Sequence, residues 1–406
     1  MSKKSYDYLV VGAGIVGLSV AHELNTRFPS ARIAVLDKEA GAGMHASGRN
    51  SGVLHSGIYY ASDTLKAKVC AAGAKRMMDF AREHAIPCLK SGKVIVATSE
   101  KELSTMDRLL RNASENGIRA WRIDEKELHE IEPYAARGPA AIYSPDTAVI
   151  DSRAVVDRLT VLLEKRGVQF LWGHGFRKVG QPGEIVTDQG RLSYGYLFNC
   201  AGAYADVVAK NFGLADDYAL VPFKGIYWKL RPDARHLVRA NIYPVPDISL
   251  PFLGVHLTRV ISGDVYIGPT AIPVLGRENY GLIQGIRPLE AIAVGCRLTR
   301  MYLSNRHNFR RMAHMELSKY FKHNFLVAAQ RLLPSIVATD MVPTNKSGIR
   351  PQLINLRKGK LEMDYILQHT EHSTHVLNAI SPAFTSSFAF AEMIVNSSLR
   401  AAVVTH

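Results

Sequence analysis

Within its first forty residues the chain sets down a strand, a glycine turn, a helix, a second strand and an acid. That order leaves few folds open. Asp7-Tyr8-Leu9-Val10-Val11 is an apolar strand run, Gly12-Ala13-Gly14-Ile15-Val16-Gly17 follows, and Ile33-Ala34-Val35-Leu36 ends on Asp37. This is the spacing of a dinucleotide-binding βαβ unit. Gly12 permits the tight turn, Gly14 lets the backbone approach a pyrophosphate, and Gly17 lets the helix lie close on the strand. The helix N-terminus offers unpaired N–H groups and partial positive charge to phosphates. Asp37 can accept hydrogen bonds from ribose hydroxyls. The motif alone does not choose between FAD and NAD. The following loop, Gly41 to Tyr60, is dense in Gly, Ser and His, too irregular for a helix and too long for a simple turn. It suits a cofactor with more to hold than a nicotinamide, and Ser47, Arg49, Asn50 and Ser51 can contact phosphate or ribityl groups.

At 406 residues the chain exceeds one simple core, so two domains are expected. The four cysteines, Cys70, Cys88, Cys200 and Cys296, form no CxxC pair, which argues against a zinc site or disulfide framework and suits a reducing compartment. No metal site is expected. With the first strand beginning by about Tyr6, no signal peptide is expected. The apolar segment Phe388 to Val404 is interrupted by Glu392, Asn396 and Arg400, so a packed helix is expected there. The formal net charge of +14 admits anionic substrates, an anionic membrane surface or nucleic acid. No nucleic-acid module is present to support the last. Basic residues concentrate between Arg287 and Arg331, interleaved with aromatic and aliphatic ones. They read either as a solvated helical face or as basic amphipathic helices on a membrane surface. The expected location is cytoplasmic, with a peripheral place at the inner face of the membrane as the alternative.

The segment His45-Ala46-Ser47-Gly48-Arg49-Asn50-Ser51-Gly52-Val53-Leu54-His55-Ser56-Gly57-Ile58-Tyr59-Tyr60 resembles the corresponding loop of L-2-hydroxyglutarate dehydrogenases and oxidases. These are FAD enzymes of the D-amino-acid-oxidase-like superfamily. The resemblance continues through Leu65-Lys66-Ala67, Gly92 to Thr98, Pro251 to Arg259, Gly268-Pro269-Thr270-Ala271, Arg277-Glu278, Tyr280, Ser347 to Gln352 and Asn378 to Ser386. It departs at Asp37, where glutamate is more usual, at Thr270, where asparagine is common, and at Ile380, where proline is common.

The resemblance implies an α/β chain with a Rossmann-like FAD-binding domain and an inserted α+β substrate domain built on an antiparallel sheet. The expected FAD segments are 1–87, 146–217 and 340–406, and the substrate segments 88–145 and 218–339. Ser99 and Glu102 are placed to cap one helix, Asp124 and Glu127 another. Besides the glycines and Asp37, the expected FAD contacts are Lys38, His45, Ser47, Arg49, Asn50, Ser51, Gly52, Cys200, Ala201, Gly202, Gly348, Pro382, Ala383, Phe384 and Thr385. Oxidising a 2-hydroxy acid requires holding its carboxylate, aiming its C2–H and removing its hydroxyl proton. An arginine fork suits the first need, and Arg350 is the expected binder. A histidine suits the last; His256 is favoured narrowly over His55. Tyr60, Lys224, Tyr243 and Arg259 are further substrate candidates. The expected reaction is FAD-dependent oxidation of L-2-hydroxyglutarate, or a close 2-hydroxy acid, with electrons passed to quinone or oxygen. An amine or amino-acid oxidase of the same superfamily is the rival. A flavin-binding module without turnover, docked on a membrane surface or a partner, is the alternative from another class.

Overall fold

Continuous apolar, β-branched runs belong in a sheet covered on both faces, and that is where the N-terminal runs go. The computed structural model describes residues 5–247 and 250–404. Strand β1 (Ser5–Val11) lies parallel between β2 (Ile33–Asp37) and the strand Gly190–Asn199. Gln169–Trp172 extends the sheet beyond β2, and Ser373–Leu377 extends it beyond Gly190–Asn199, both in parallel. Helix α1 (Ile15–Arg27) crosses from β1 to β2. It packs with the helices Leu65–Glu83 and Ala383–Val404 around the largest apolar cluster, which includes Leu18, Leu24, Val35, Met77, Phe390 and Ile394. Gly73 makes the helix contact close: a Cβ there would stand 2.5 Å from the Ser386 Cα.

The second sheet is mostly antiparallel, and its spine is the long ribbon of Tyr218–Leu230 against Met341–Asn355. Lys93–Ala97, Ala140–Ser144, Asn241–Pro244, His256–Arg259 and Val265–Gly268 complete its central strands. Three helices, Pro288–Ser304, Phe309–Ser318 and Lys322–Gln330, occupy the expected helical region. No described helix is long and apolar enough to cross a membrane.

Two local expectations need correction. Met341–Asn355 pairs with the second sheet, so the chain rejoins the first sheet at Ile366–Thr370 rather than from 340. Its cross-strand register with Tyr218–Leu230 outweighs its place in the sequence. Ser99 makes no side-chain cap: a short 3-10 turn precedes the helix Leu103–Glu115, and Glu102 instead accepts from the Thr98 N–H at 2.6 Å. The Asp124–Glu127 capping box is present.

Candidate active site

The glycine turn after β1 opens one end of a cavity of about 1240 Å³ that runs between the two sheets. Small-molecule sites span roughly 300–1,000 Å³, so this one has room for a dinucleotide and a small acid together. Gly12 holds φ +105°, and a Cβ there would stand 2.5 Å from the Cys200 carbonyl oxygen. A Cβ on Gly17 would reach 1.9 Å from the Gly12 oxygen, which is the close helix–strand packing its position demands. At Gly14 a Cβ would approach the Ser47 Oγ to 3.2 Å, and that hydroxyl accepts from the Ile15 N–H at 2.8 Å. The Asp37 carboxylate accepts from Ala13 N–H at 2.7 Å and Glu39 N–H at 3.0 Å, and each oxygen can accept a second bond. This bare-backbone cradle, helix N-terminus and acid fit the pyrophosphate and ribose of FAD.

A segment following the strand Val265–Gly268 straps across this end. Buried Arg277 pairs with buried Asp206, with Nη2 to Oδ2 at 3.0 Å, and with Glu290 at 2.9 Å. Glu278 takes Lys38 at 2.7 Å and the Tyr204 hydroxyl at 2.9 Å. Tyr280 bonds His45 Nδ1 at 2.8 Å and lies under the Arg49 guanidinium, 4.2 Å away. His45 Nε2 meets Glu39 at 2.9 Å, so both its ring nitrogens are engaged. Glu39, His45 and Glu278 cluster closely enough to resemble a metal site, but Lys38 bridges the two carboxylates and makes an ion-pair network of it.

At the other end the wall is built by second-sheet strands. Phe223, Gly225 and Tyr227 point inward at alternate positions of one ribbon strand, and Arg350 sits directly opposite Phe223 on the other. Arg350 Nε donates to Gln352 Oε1 at 3.0 Å, and its guanidinium lies 5.0 Å from the Phe252 ring centre. Burial lowers its pKa, with Tyr60 and Tyr365 nearby in partial compensation. His256 stacks on Tyr243 at 4.0 Å and shares a hydrogen bond between Nδ1 and the Gly254 carbonyl at 2.9 Å. Burial pushes His256 down to about 4 and His55 down to about 3. Thr385, in the first turn of the C-terminal helix, accepts from the His55 N–H at 3.2 Å and so ties that loop to the helix.

His256, His55, Arg350 and Tyr243 share the cavity wall with Gly12, Gly14, Asp37, Lys38, His45, Ser47, Arg49, Asn50 and Ser51. Cys200, Ala201, Gly202, Gly348, Pro382, Ala383, Phe384 and Thr385 line it too. Gly17 and Gly52 stand behind the wall; Gly52, at φ +74°, lets the chain pass the Ile150 carbonyl. Tyr60 also lies behind it, close enough to Arg350 for their charges to interact. Lys224 and Arg259 do not join the site. Lys224 follows inward-facing Phe223 and so projects to the opposite face, where it donates to the Gly281 carbonyl at 2.7 Å. Arg259 stands three residues beyond His256, again on the opposite face, and donates to the Val238 carbonyl at 3.0 Å. Sequence reasoning missed Tyr227, Phe252, Tyr204 and two partners of the strap, Asp206 and Glu290. It also passed over Lys93, although a lysine opening an apolar strand was a readable signal.

A family model described as FAD dependent oxidoreductase (DAO) matches residues 7–397. The chain is 35% identical over 401 residues to an L-2-hydroxyglutarate dehydrogenase of Indibacter alkaliphilus, covering 97% of this chain and 99% of that one. It is 34% identical to the L-2-hydroxyglutarate dehydrogenase of Escherichia coli K12, over 96% and 92% of the two chains. Among solved structures, it resembles an FAD-bound L-alpha-glycerophosphate oxidase from Mycoplasma pneumoniae, with TM-score 0.75, 20% identity and coverage of 98% and 95%. A glycine oxidase from Geobacillus kaustophilus matches with TM-score 0.73 at 17% identity, covering 98% and 95%.

Proposed function

The chain belongs to the FAD dependent oxidoreductase (DAO) family, and on that premise we propose that it oxidises L-2-hydroxyglutarate, or a closely related 2-hydroxy acid, to the 2-oxo acid. FAD, when bound, supplies the two-electron acceptor for the hydride that leaves C2. The observation that supports this substrate class is the charge arrangement of the second-sheet wall. Arg350 and His256 face the cavity there, His55 joins them from the loop after Val53–Leu54, and no carboxylate on those strands lines it among the described residues.

Arg350 holds the substrate carboxylate. Its Nε is already committed to Gln352, so the two Nη groups remain for a fork-to-carboxylate grip. His256 removes the hydroxyl proton. Burial keeps it unprotonated, and the Gly254 carbonyl requires a hydrogen on Nδ1, which leaves the lone pair on Nε2 to accept. His55 lies beside it as the second imidazole. Tyr243, stacked on His256, fixes the plane of the ring. The aromatic wall of Phe223, Tyr227 and Phe252 excludes water around C2.

As the electron acceptor we propose a membrane quinone rather than oxygen. Leu282, Ile283 and Leu289 are 82%, 80% and 84% exposed. They flank a cavity rim that carries Arg287 and Arg297. Apolar side chains among arginines suit peripheral contact with an anionic lipid surface. Co-sedimentation with anionic vesicles, lost on Leu289→Glu, is expected for this contact; equal sedimentation of the two proteins would remove it.

The substrate is tested by the anaerobic absorption spectrum of the holoenzyme, titrated separately with L- and D-2-hydroxyglutarate. Bleaching of the flavin band by the L form alone is expected. A flavin band unmoved by both acids would discard the substrate.

A further inference from the structure

Lys93 opens the strand Lys93–Ala97, and its relative exposure is 0%. Its Nζ has no hydrogen-bond partner among the described residues, and neither does the hydroxyl of Tyr59. Burying an unpaired ammonium is costly, and a leucine or methionine would fill an apolar strand position without that cost. The group therefore needs a reason to be there. It lies 4.6 Å from the Tyr59 ring centre and 5.2 Å from that of Tyr243. The Tyr243 ring stacks in turn on His256 at 4.0 Å, with 23° between the planes. Lys93 thus stands one ring behind the wall that carries the imidazoles.

Among the described residues, five ionisable groups face this ammonium from the elements packed around it. His55 and Tyr59 belong to the loop after the cofactor motif, and Cys70 to the helix Leu65–Glu83. Tyr243 and His256 belong to the strands Asn241–Pro244 and His256–Arg259. None is a carboxylate. The positive charge of Lys93 opposes protonation of both His55 and His256.

We propose that Lys93 is a positioning residue whose charge sets the basicity of the His55–His256 pair: the ammonium weakens either imidazole as a proton acceptor, and the neutral amine restores it. This inference rests on the reading of the two histidines given above. Burial draws Lys93 down to about 7, so the change falls in the neutral range. The rate of flavin reduction should therefore rise with pH through that range, as Lys93 loses its proton and the pair gains strength.

Two measurements on the holoenzyme test this. The first is the pH profile of kcat/KM with L-2-hydroxyglutarate for wild type, Lys93→Met, Lys93→Gln and Lys93→Arg, each checked for flavin content and Tm. The acid limb should move down by about one pH unit in the neutral variants. Lys93→Arg, which keeps its charge, should be slower than wild type at pH 8 by about threefold to tenfold. A limb that stays within about 0.3 pH unit of wild type in both neutral variants overturns the proposal. A merely structural lysine would lower Tm without moving the limb. The second measurement needs no substrate: ring titrations of ¹³C-labelled histidines, assigned with His55→Asn and His256→Asn. At least one of the two midpoints should rise by about 0.5 pH unit or more in Lys93→Met. Two unmoved midpoints refute the role even if the acid is a substrate. If wild type is not reduced by that acid, the substrate assignment falls and the ring titrations alone decide Lys93.

Discussion

Arg350→Ala isolates the carboxylate grip from the rest of the site. The guanidinium is desolvated, its Nε is satisfied by Gln352, and among the described residues the acidic groups near enough to act on its charge are Tyr60 and Tyr365, both neutral phenols at working pH. A buried cation without a protein carboxylate is a site whose counter-ion arrives with the substrate. Removing one partner of such a pair costs about 2–5 kcal/mol. At about 1.4 kcal/mol per factor of ten, kcat/KM for 2-hydroxyglutarate should fall by roughly 30-fold to a few thousand-fold. Arg350→Lys keeps the charge but loses the planar fork and its stacking on Phe252, so it should fall between the alanine variant and wild type. The assay is anaerobic stopped-flow bleaching of the flavin over a substrate series, on protein whose flavin content and Tm match wild type. A loss below about fivefold in the alanine variant would refute the assignment, because a desolvated pair cannot be worth so little.

The strap across the cofactor end should control how fast FAD leaves. Glu278→Gln removes one of the two carboxylate partners of Lys38 and weakens the bond to Tyr204, and should speed FAD release by about threefold to thirtyfold, read from the rise of free-flavin fluorescence; an unchanged release rate counts against the strap. Stability should fall below pH 6. His22, His256 and His375 are pushed to about 4 and His55 to about 3 by burial, so the unfolded chain binds more protons than the native one between those values and 6.5. Each of the four then loses about 1.4 kcal/mol per pH unit below 6.5, and a Tm that is level from pH 7 to 5.5 would contradict their burial in the neutral form.

What could be read from the sequence was local. Gly12, Gly14, Gly17 and Asp37 act through the backbone within one βαβ unit, so spacing alone carries their roles. Asp124 and Glu127 are legible for the same reason. Arg350 was reachable through a motif, but its opposition to Phe223 depends on a pairing between distant strands that no periodicity reveals. Lys224 and Arg259 were misplaced because they were chosen for charge, while the two-residue period of their strands sends them to the face away from Phe223 and His256. The strap shows the same limit in another form. Arg277, Glu278 and Tyr280 stood out in the sequence, yet their partners Asp206, Lys38 and His45 lie in two other segments and become neighbours only in the fold.

The wall around Arg350 also separates the two oxidase readings. The acids lining the cavity, Asp37, Glu39, Asp188, Glu278 and Glu290, come from the cofactor side and the strap, and each is held by a cation or by backbone N–H groups. The substrate wall carries Arg350 and two imidazoles, with Lys93 behind them. A hydroxyl at C2 enters that field without charge, whereas the ammonium of an amino acid enters it as a cation. At an effective dielectric of about 20, two unit charges some 7 Å apart repel by about 2.4 kcal/mol. That is about a fiftyfold penalty. L-Glutamate, which differs from L-2-hydroxyglutarate only in that substituent, should therefore bleach the flavin with a kcat/KM lower by about fiftyfold or more at pH 7. The gap should narrow in Lys93→Met, where one of the opposing charges is gone. Bleaching by glutamate within about fivefold of the hydroxy acid would mean that the field does not select against an ammonium, and the amino-acid oxidase reading would replace the one argued here.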